Sequence, residues 1–343
     1  MAIKLRPLKE QVMIITGATS GIGLVTARMA SEHGVKLVLA ARNREALDKL
    51  NSKIIGRGGD CIAVRADVGK EGDVKKIASE AVAHFGNFDT WVNNAGVSIY
   101  GRLEDVATDD LHRLFETNFW GTVYGSLVAA RNLKSFGGAI INIGSTLSDR
   151  AIPLQGMYSA SKHAVKGFTD ALRMELEAND DPISVTLIKP SAIDTPYKEH
   201  AKNYLHVKPE NPAPVYAPET VAETILYCAE HPVRDIFVGA GGRMLSSVGE
   251  YAPRLTDLYM EKMMIEAQKS DEAGDGRLLD GLWESHDSSL NERGGYDGHV
   301  AESSIYTKAA LHPVIAGTVA AGAAMALGAG LAYSMARLNE NDH

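Results

Sequence analysis

The stretch QVMIITGATSGIG, residues 11–23, decides the fold. An apolar run, QVMIIT (11–16), passes through TGATSGIG (16–23) into GLVTARMASEH (23–33), which reads as a helix. Gly17, Gly21 and Gly23 punctuate the turn between strand and helix. Glycines in such a turn let backbone N–H groups approach a pyrophosphate, and the helix N-terminus behind them favours negative charge. The spacing is G-x-x-x-G-x-G rather than the common G-x-G-x-x-G, so the turn needs support from the rest of the chain.

That support comes from a series of similar runs. KLVLA (36–40), CIAV (61–64), FDTWV (88–92), GAIINI (138–143), ISVTLI (183–188) and DIFVG (235–239) are short, rich in Val and Ile, and not alternating. Such runs suit strands buried on both faces of a parallel sheet. Helical stretches separate most of them, as a βαβ series requires. The expected fold is α/β: a Rossmann-type doubly wound parallel sheet of about seven strands, with ligands at the carboxyl ends of the strands.

Composition narrows the function. The 343 residues carry 45% hydrophobic and 23% charged residues, ordinary globular usage. Net charge is −8 and no Lys/Arg run appears, so nucleic acid is not an expected partner. Two distant cysteines, Cys61 and Cys228, give neither a disulfide framework nor a zinc motif. The histidines show no metal-ligand spacing, so no metal is expected. MAIKLRPLKE lacks an apolar leader segment, and the expected location is cytoplasmic.

Further motifs fall at strand ends. The second strand ends in LAARNREAL (39–47), with Ala41 where an NAD-binding chain usually places a carboxylate, followed by Arg42. An arginine fork binds a 2′-phosphate that a carboxylate would repel, so NADP(H) is favoured over NAD(H). NNAG (93–96) follows the fourth strand, and INIGS (141–145) places Ser145 at the sheet edge. Thirteen residues later comes YSASK (158–162). Its Tyr158 and Lys162 lie on one helix face, where an ammonium near a phenol lowers the phenol's pKa.

TGATSGIG, NNAG, Ser145 and YSASK, in that order and spacing, resemble the motif set of the short-chain dehydrogenases/reductases, over about residues 8–245. The resemblance implies an NADP(H)-dependent oxidoreductase that interconverts a carbonyl and an alcohol. It implies catalytic roles for Ser145, Tyr158, Lys162 and Asn118. It implies cofactor contacts at Gly17, Thr19, Ser20, Gly21, Ile22, Gly23, Asp67, Val68, Asn94, Ala95, Gly96, Tyr158 and Lys162. KPSAIDTP (189–196) resembles the family's PGxxxT loop, adding Pro190, Ile193 and Thr195, but carries Ser191 where the family usually has glycine. Many members form homo-oligomers through two helices, here VAARNLKSF (128–136) and AVKGFTDAL (164–172). A dehydratase or epimerase on the same fold is one alternative. A non-catalytic dinucleotide sensor or scaffold at a membrane is the other. Residues 196–218 read as a substrate-covering loop, with no role assigned to Tyr197, His200, Tyr204 or His206.

The style changes near residue 245. Residues 1–245 form the expected catalytic domain and 246–308 a polar, partly irregular extension, with an amphipathic helix at 254–268. Residues 309–338 form an Ala/Gly-rich hydrophobic helix. Its core, PVIAGTVAAGAAMALGAGLAYSM (313–335), is uncharged and long enough to span a bilayer. A tail anchor on the cytosolic face and an Ala-rich helix packed on protein both fit. An anchored enzyme points to a lipophilic substrate.

Overall fold

The computed structural model describes residues 3–274, 280–285 and 289–312, with 316 and 318 beyond them. Seven strands form one parallel sheet: β1 (Val12–Thr16), β2 (Lys36–Ala41), β3 (Cys61–Arg65), β4 (Thr90–Asn93), β5 (Gly138–Ile143), β6 (Ile183–Pro190) and β7 (Asp235–Val238). Their order is β7-β6-β5-β4-β1-β2-β3. The chain runs outward from β1 in one direction, then returns to β4 and runs out in the other. The change of direction leaves a crevice at the carboxyl ends of β1 and β4.

Helices cover the sheet: α1 (Gly21–Glu32), α2 (Arg44–Ile55), α3 (Glu71–Phe85), α4 (Thr108–Phe115), α5 (Gly121–Leu133), α6 (Gly156–Ala178) and α7 (Pro218–Glu230). The strands are apolar throughout because both faces are covered. Val12 and Ile14 of β1 pack with Val74, Ile77, Leu133 and Leu172 from α3, α5 and α6. Met13 and Ile15, pointing the other way, are equally inaccessible. On that side α1 packs against α7.

The chain forms two compact units, Met1–Ser304 and Ile305–His343. The change of style near 245 is therefore no boundary between units. Residues 246–304 fold onto the sheet domain, through α8 (Ala240–Tyr251), α9 (Pro253–Tyr259), a π-turn (Met260–Met264) and a 3-10 turn (Glu266–Gln268). Short strands stitch the rest down: Lys269–Ala273 pairs with Val207–Pro209, and Val300–Ala301 with Val215–Tyr216. In the second unit the described element is the helix Ile305–Leu311. Among the described residues no helix is long and apolar enough to cross a membrane. The anchor expected at 313–335 lies outside them, apart from residues 316 and 318.

Candidate active site

The glycine turn after β1 is built as its sequence requires. Gly17 adopts φ +66°, and a Cβ there would meet the Ala95 backbone at 2.8 Å. Gly23 lies so close beneath the turn that a Cβ would meet the Gly17 carbonyl at 2.1 Å. Asn94 ties the end of β4 to the turn by donating to the Thr16 and Gly17 carbonyls, at 2.9 and 3.2 Å. Strand end and turn thus form one rigid edge.

Two connected spaces follow that edge and meet at Gly96. The smaller, about 120 Å³, is lined by Gly17, Thr19, Ser20, Arg42, Asp67, Val68 and Ala95. The larger, about 820 Å³, reaches Ile22, Asn94, Pro190, Ile193, Thr195, Ser145, Tyr158 and Lys162. Three expected residues line neither space. Gly21 packs on Thr195, Gly23 supports Gly17, and Asn118 stands behind Gly96, with its Oδ1 3.5 Å from where a Cβ would be.

Ser145 ends its strand as the cap of a 3-10 turn, its hydroxyl accepting from Leu147 N–H at 3.1 Å. Tyr158 and Lys162 lie one turn apart on α6, with the Lys162 ammonium 5.6 Å from the Tyr158 ring centre. Lys162 Nζ donates to the Ile143 carbonyl at 2.7 Å. Tyr158 lines the larger space together with Ser145 and Tyr197. Burial raises its pKa above the ordinary phenol value, while Tyr197 and Ser145 pull it back. Burial lowers Lys162 to about 8. The expected lowering of Tyr158 by Lys162 is therefore not what this geometry gives, because the ammonium faces a strand carbonyl. Burial disfavours the charge on each group, so it raises the phenol and lowers the ammonium, and the two move apart.

Asn118 lies in a π-turn, Glu116–Trp120. Its Nδ2 donates to the Val97 carbonyl at 2.9 Å and to Ser161 at 3.1 Å, and its Oδ1 accepts from Val97 N–H at 2.8 Å. It holds the chain behind Gly96. Ser191 replaces the family's glycine without adopting positive φ. Its hydroxyl instead accepts from Gly242 N–H at 3.1 Å, tying the loop to α8.

Tyr197 was given no role by sequence, yet it stands edge-on to Tyr158 with ring centres 5.5 Å apart. Its hydroxyl donates to Gln155 at 3.0 Å. Tyr204 instead bonds to Asp110, away from the site. His200 lines the smaller space.

The extension adds walls that the sequence did not announce. Met244, Leu245, Val248, Leu255, Tyr259 and Met263 close the far side of the larger space. Gly281, Glu284, Ser285 and Ser289 line the smaller one. The Arg42 guanidinium donates to the carbonyls of Gly281, Leu282 and Trp283. Gly21 N–H donates to the Asn291 carbonyl at 2.9 Å. Asp67 pairs with Arg113 at 2.7 Å.

The residues present fit a dinucleotide. A glycine cradle that a Cβ would fill opens on both spaces, and the family's contact residues line them end to end.

Comparison with known proteins agrees. The short chain dehydrogenase family profile matches residues 11–204. Uncharacterized oxidoreductase YxnA of Bacillus subtilis is 47% identical over 323 residues, covering 93% of this chain and 90% of the relative. Versicolorin reductase stcU of Emericella nidulans is 35% identical over 189 residues, 55% of this chain and 71% of the relative. A solved short-chain dehydrogenase/reductase from Mycobacterium marinum superposes with TM-score 0.60 at 26% identity, covering 69% of this chain and 96% of that one. An alcohol dehydrogenase from Thermococcus sibiricus, complexed with 5-hydroxy-NADP, gives 0.58 at 26% identity, over 66% and 95%. With its profile match, its fold and its close oxidoreductase relative, this chain belongs to the short-chain dehydrogenase family.

Proposed function

We propose that this protein is an NADP(H)-dependent oxidoreductase that interconverts a lipophilic ketone or aldehyde and its alcohol. The observation that carries the reading is the convergence of Ser145, Tyr158 and Lys162 on one apolar space beside Gly96. Gly17, Thr19 and Ser20 hold the dinucleotide's phosphates, and Asn94, Pro190, Ile193 and Thr195 its nicotinamide end. When bound, the nicotinamide supplies or accepts the hydride. The chain supplies position and proton. Ser145 donates to the substrate oxygen, where charge grows as the carbonyl is reduced. Tyr158 gives its proton to that oxygen in reduction and takes it back in oxidation. Lys162, held one helix turn from Tyr158 by the Ile143 carbonyl, would bond the nicotinamide ribose hydroxyls. Asn118 keeps the Gly96–Val97 backbone in place beneath them.

Arg42 at the end of β2, with no carboxylate beside it on that strand, favours NADP(H). A lipophilic substrate follows from the walls. Among the described residues, the charged ones lining the larger space are Lys162 and Lys262. Met244, Leu255 and Met263 leave apolar surface open at its mouth, 70%, 65% and 56% exposed. Such surface is stable when it receives an apolar ligand. Two similar proteins are named versicolorin reductase and alcohol dehydrogenase, names that fit carbonyl–alcohol interconversion. α5 and α6, with Trp120 and Met174 exposed beside them, are the expected faces of a homo-oligomer; sedimentation velocity tests that directly.

The test is NADPH and NADH consumption against aldehydes, ketones and quinones of increasing size. Turnover that prefers NADPH and grows with apolar size supports the reading. NADPH binding with no turnover across the panel favours the sensor reading instead.

A further inference from the structure

Arg42 is half-buried, and among the described residues its hydrogen-bond acceptors are all neutral. Its Nη1 donates to the carbonyls of Leu282 and Trp283, at 2.9 and 3.3 Å, and its Nη2 to that of Gly281. Both prongs of the guanidinium fork are thus taken by one turn of the extension. Arg113 Nε also donates to the Leu282 carbonyl, at 3.3 Å, but Arg113 has Asp67 as its counter-ion. The turn is fastened by contacts that do not involve Arg42. Leu282 is fully buried in a cluster with Val97 and Leu114. The Trp283 indole donates to Asp110 at 2.6 Å, and its ring faces the Arg113 guanidinium at 5.7 Å. Asp280 pairs with Lys202 at 2.9 Å. Glu284 lines the same space as Arg42, so it brings a negative charge to it. At the head of α1 the Asn291 carbonyl takes the Gly21 N–H, a donor of the kind that suits a phosphate.

We propose that residues 281–283 are an autoinhibitory strap on the cofactor site: their carbonyls hold the Arg42 fork that a 2′-phosphate needs, and NADP(H) binds by displacing them. The proposal rests on the reading of Arg42 given above. A phosphate competes well for a guanidinium, because that bond joins two charges while a carbonyl offers only a dipole. It competes against a turn that Leu282, Trp283 and Asp280 hold down from the other side. The chain that binds the phosphate is the fraction whose strap has let go. The apparent Kd for NADPH is therefore the intrinsic Kd divided by that fraction. NADH has no 2′-phosphate and draws nothing from Arg42, so it leaves those carbonyls where they are. The strap lowers affinity for NADPH selectively.

The test is fluorescence titration of the full chain with NADPH and with NADH, needing no substrate. Leu282→Ala removes the buried anchor of the strap. Trp283→Phe removes the bond to Asp110 and keeps a ring beside Arg113; it decides the matter if Leu282→Ala does not fold. Either variant should lower the NADPH Kd by about 10-fold and change the NADH Kd by less than about 2-fold. In an Arg42→Met background both should leave the NADPH Kd unchanged, because the group they release is gone. An NADPH Kd that is unchanged or raised in the folded variants overturns the proposal. So does one lowered equally for NADH, or lowered equally without Arg42. NADH bound more tightly than NADPH even by the strap variants overturns the reading of Arg42 instead.

Discussion

The sheet edge and the extension contribute to the same cleft in different ways. At the edge, chemistry comes from short, local motifs. A strand ends, a glycine turn or a serine follows, and one helix turn separates Tyr158 from Lys162. The extension contributes no such motif. Its residues close the apolar wall and, through Gln268, bond Gln155 far away in sequence. In the proposed reading the edge carries the chemistry and the extension selects the substrate through the wall it adds. Variants in the two regions should therefore fail differently.

The largest effect belongs to the edge. Tyr158→Phe keeps the ring and removes the proton, so kcat should fall by about 10³-fold with nucleotide affinity little changed. Stopped-flow turnover alongside fluorescence titration with NADPH separates the two. Ser145→Ala removes a donor to the developing charge and should lower kcat by roughly 10²-fold, with a smaller effect on KM. Arg42→Glu places a like charge against a 2′-phosphate. The KM for NADPH should rise by about 10- to 100-fold, and that for NADH much less. An equal loss for both would mean that Arg42 acts through the carbonyls of residues 281–283 rather than through the cofactor.

Lys162 gives a pH-dependent prediction. Its native pKa of about 8 lies below the unfolded lysine value, so the native state binds fewer protons between about pH 8 and 10.5. Its contribution destabilises the fold most at and below pH 8, and this loss fades as pH rises towards 10.5. Lys162→Met should raise the stability of the free enzyme at pH 7 by on the order of 2 kcal/mol, and the gain should shrink to near zero by pH 10.5. Urea melts across that range measure it. A gain that stays constant with pH would show that the ammonium is better solvated than its burial implies.

The smallest effect belongs to the extension. Leu255→Ser with Met263→Ser should raise KM for a bulky apolar ketone by about 10-fold and leave a small aldehyde unchanged. If both substrates suffer alike, the extension serves folding rather than selection.

These differences also explain what sequence could show. The strands were legible because burial on both faces makes them continuous apolar runs, and GAIINI appears with the bounds its pattern gave. Tyr158 and Lys162 lie one turn apart on α6, as their local spacing implied. The described residues of 269–304 were not legible, because much of what holds them is distant in sequence. They are polar and lack a period, and distant partners fasten them. Arg28 pairs with Glu292 at 2.8 Å, and Asp194 accepts from Gly294 and Tyr296 N–H at 3.1 and 3.2 Å. Leu282, in the middle of that stretch, is fully buried in a cluster with Val97 and Leu114. Tyr197 was missed for a similar reason. Its neighbours read as a Pro-rich loop, and only the fold brings it to Tyr158. The Lys162 effect on Tyr158 was misjudged because spacing gives proximity on a helix, not the direction in which an ammonium points.

The most direct test of the central claim follows the hydride itself. NADPH deuterated at the nicotinamide C4 would be turned over with a lipophilic ketone by wild type and by Tyr158→Phe, and the alcohol analysed by mass spectrometry. The expected result is one deuterium at the carbinol carbon with wild type and none above background with Tyr158→Phe. Alcohol formed without label, or labelled equally by both enzymes, would contradict the account.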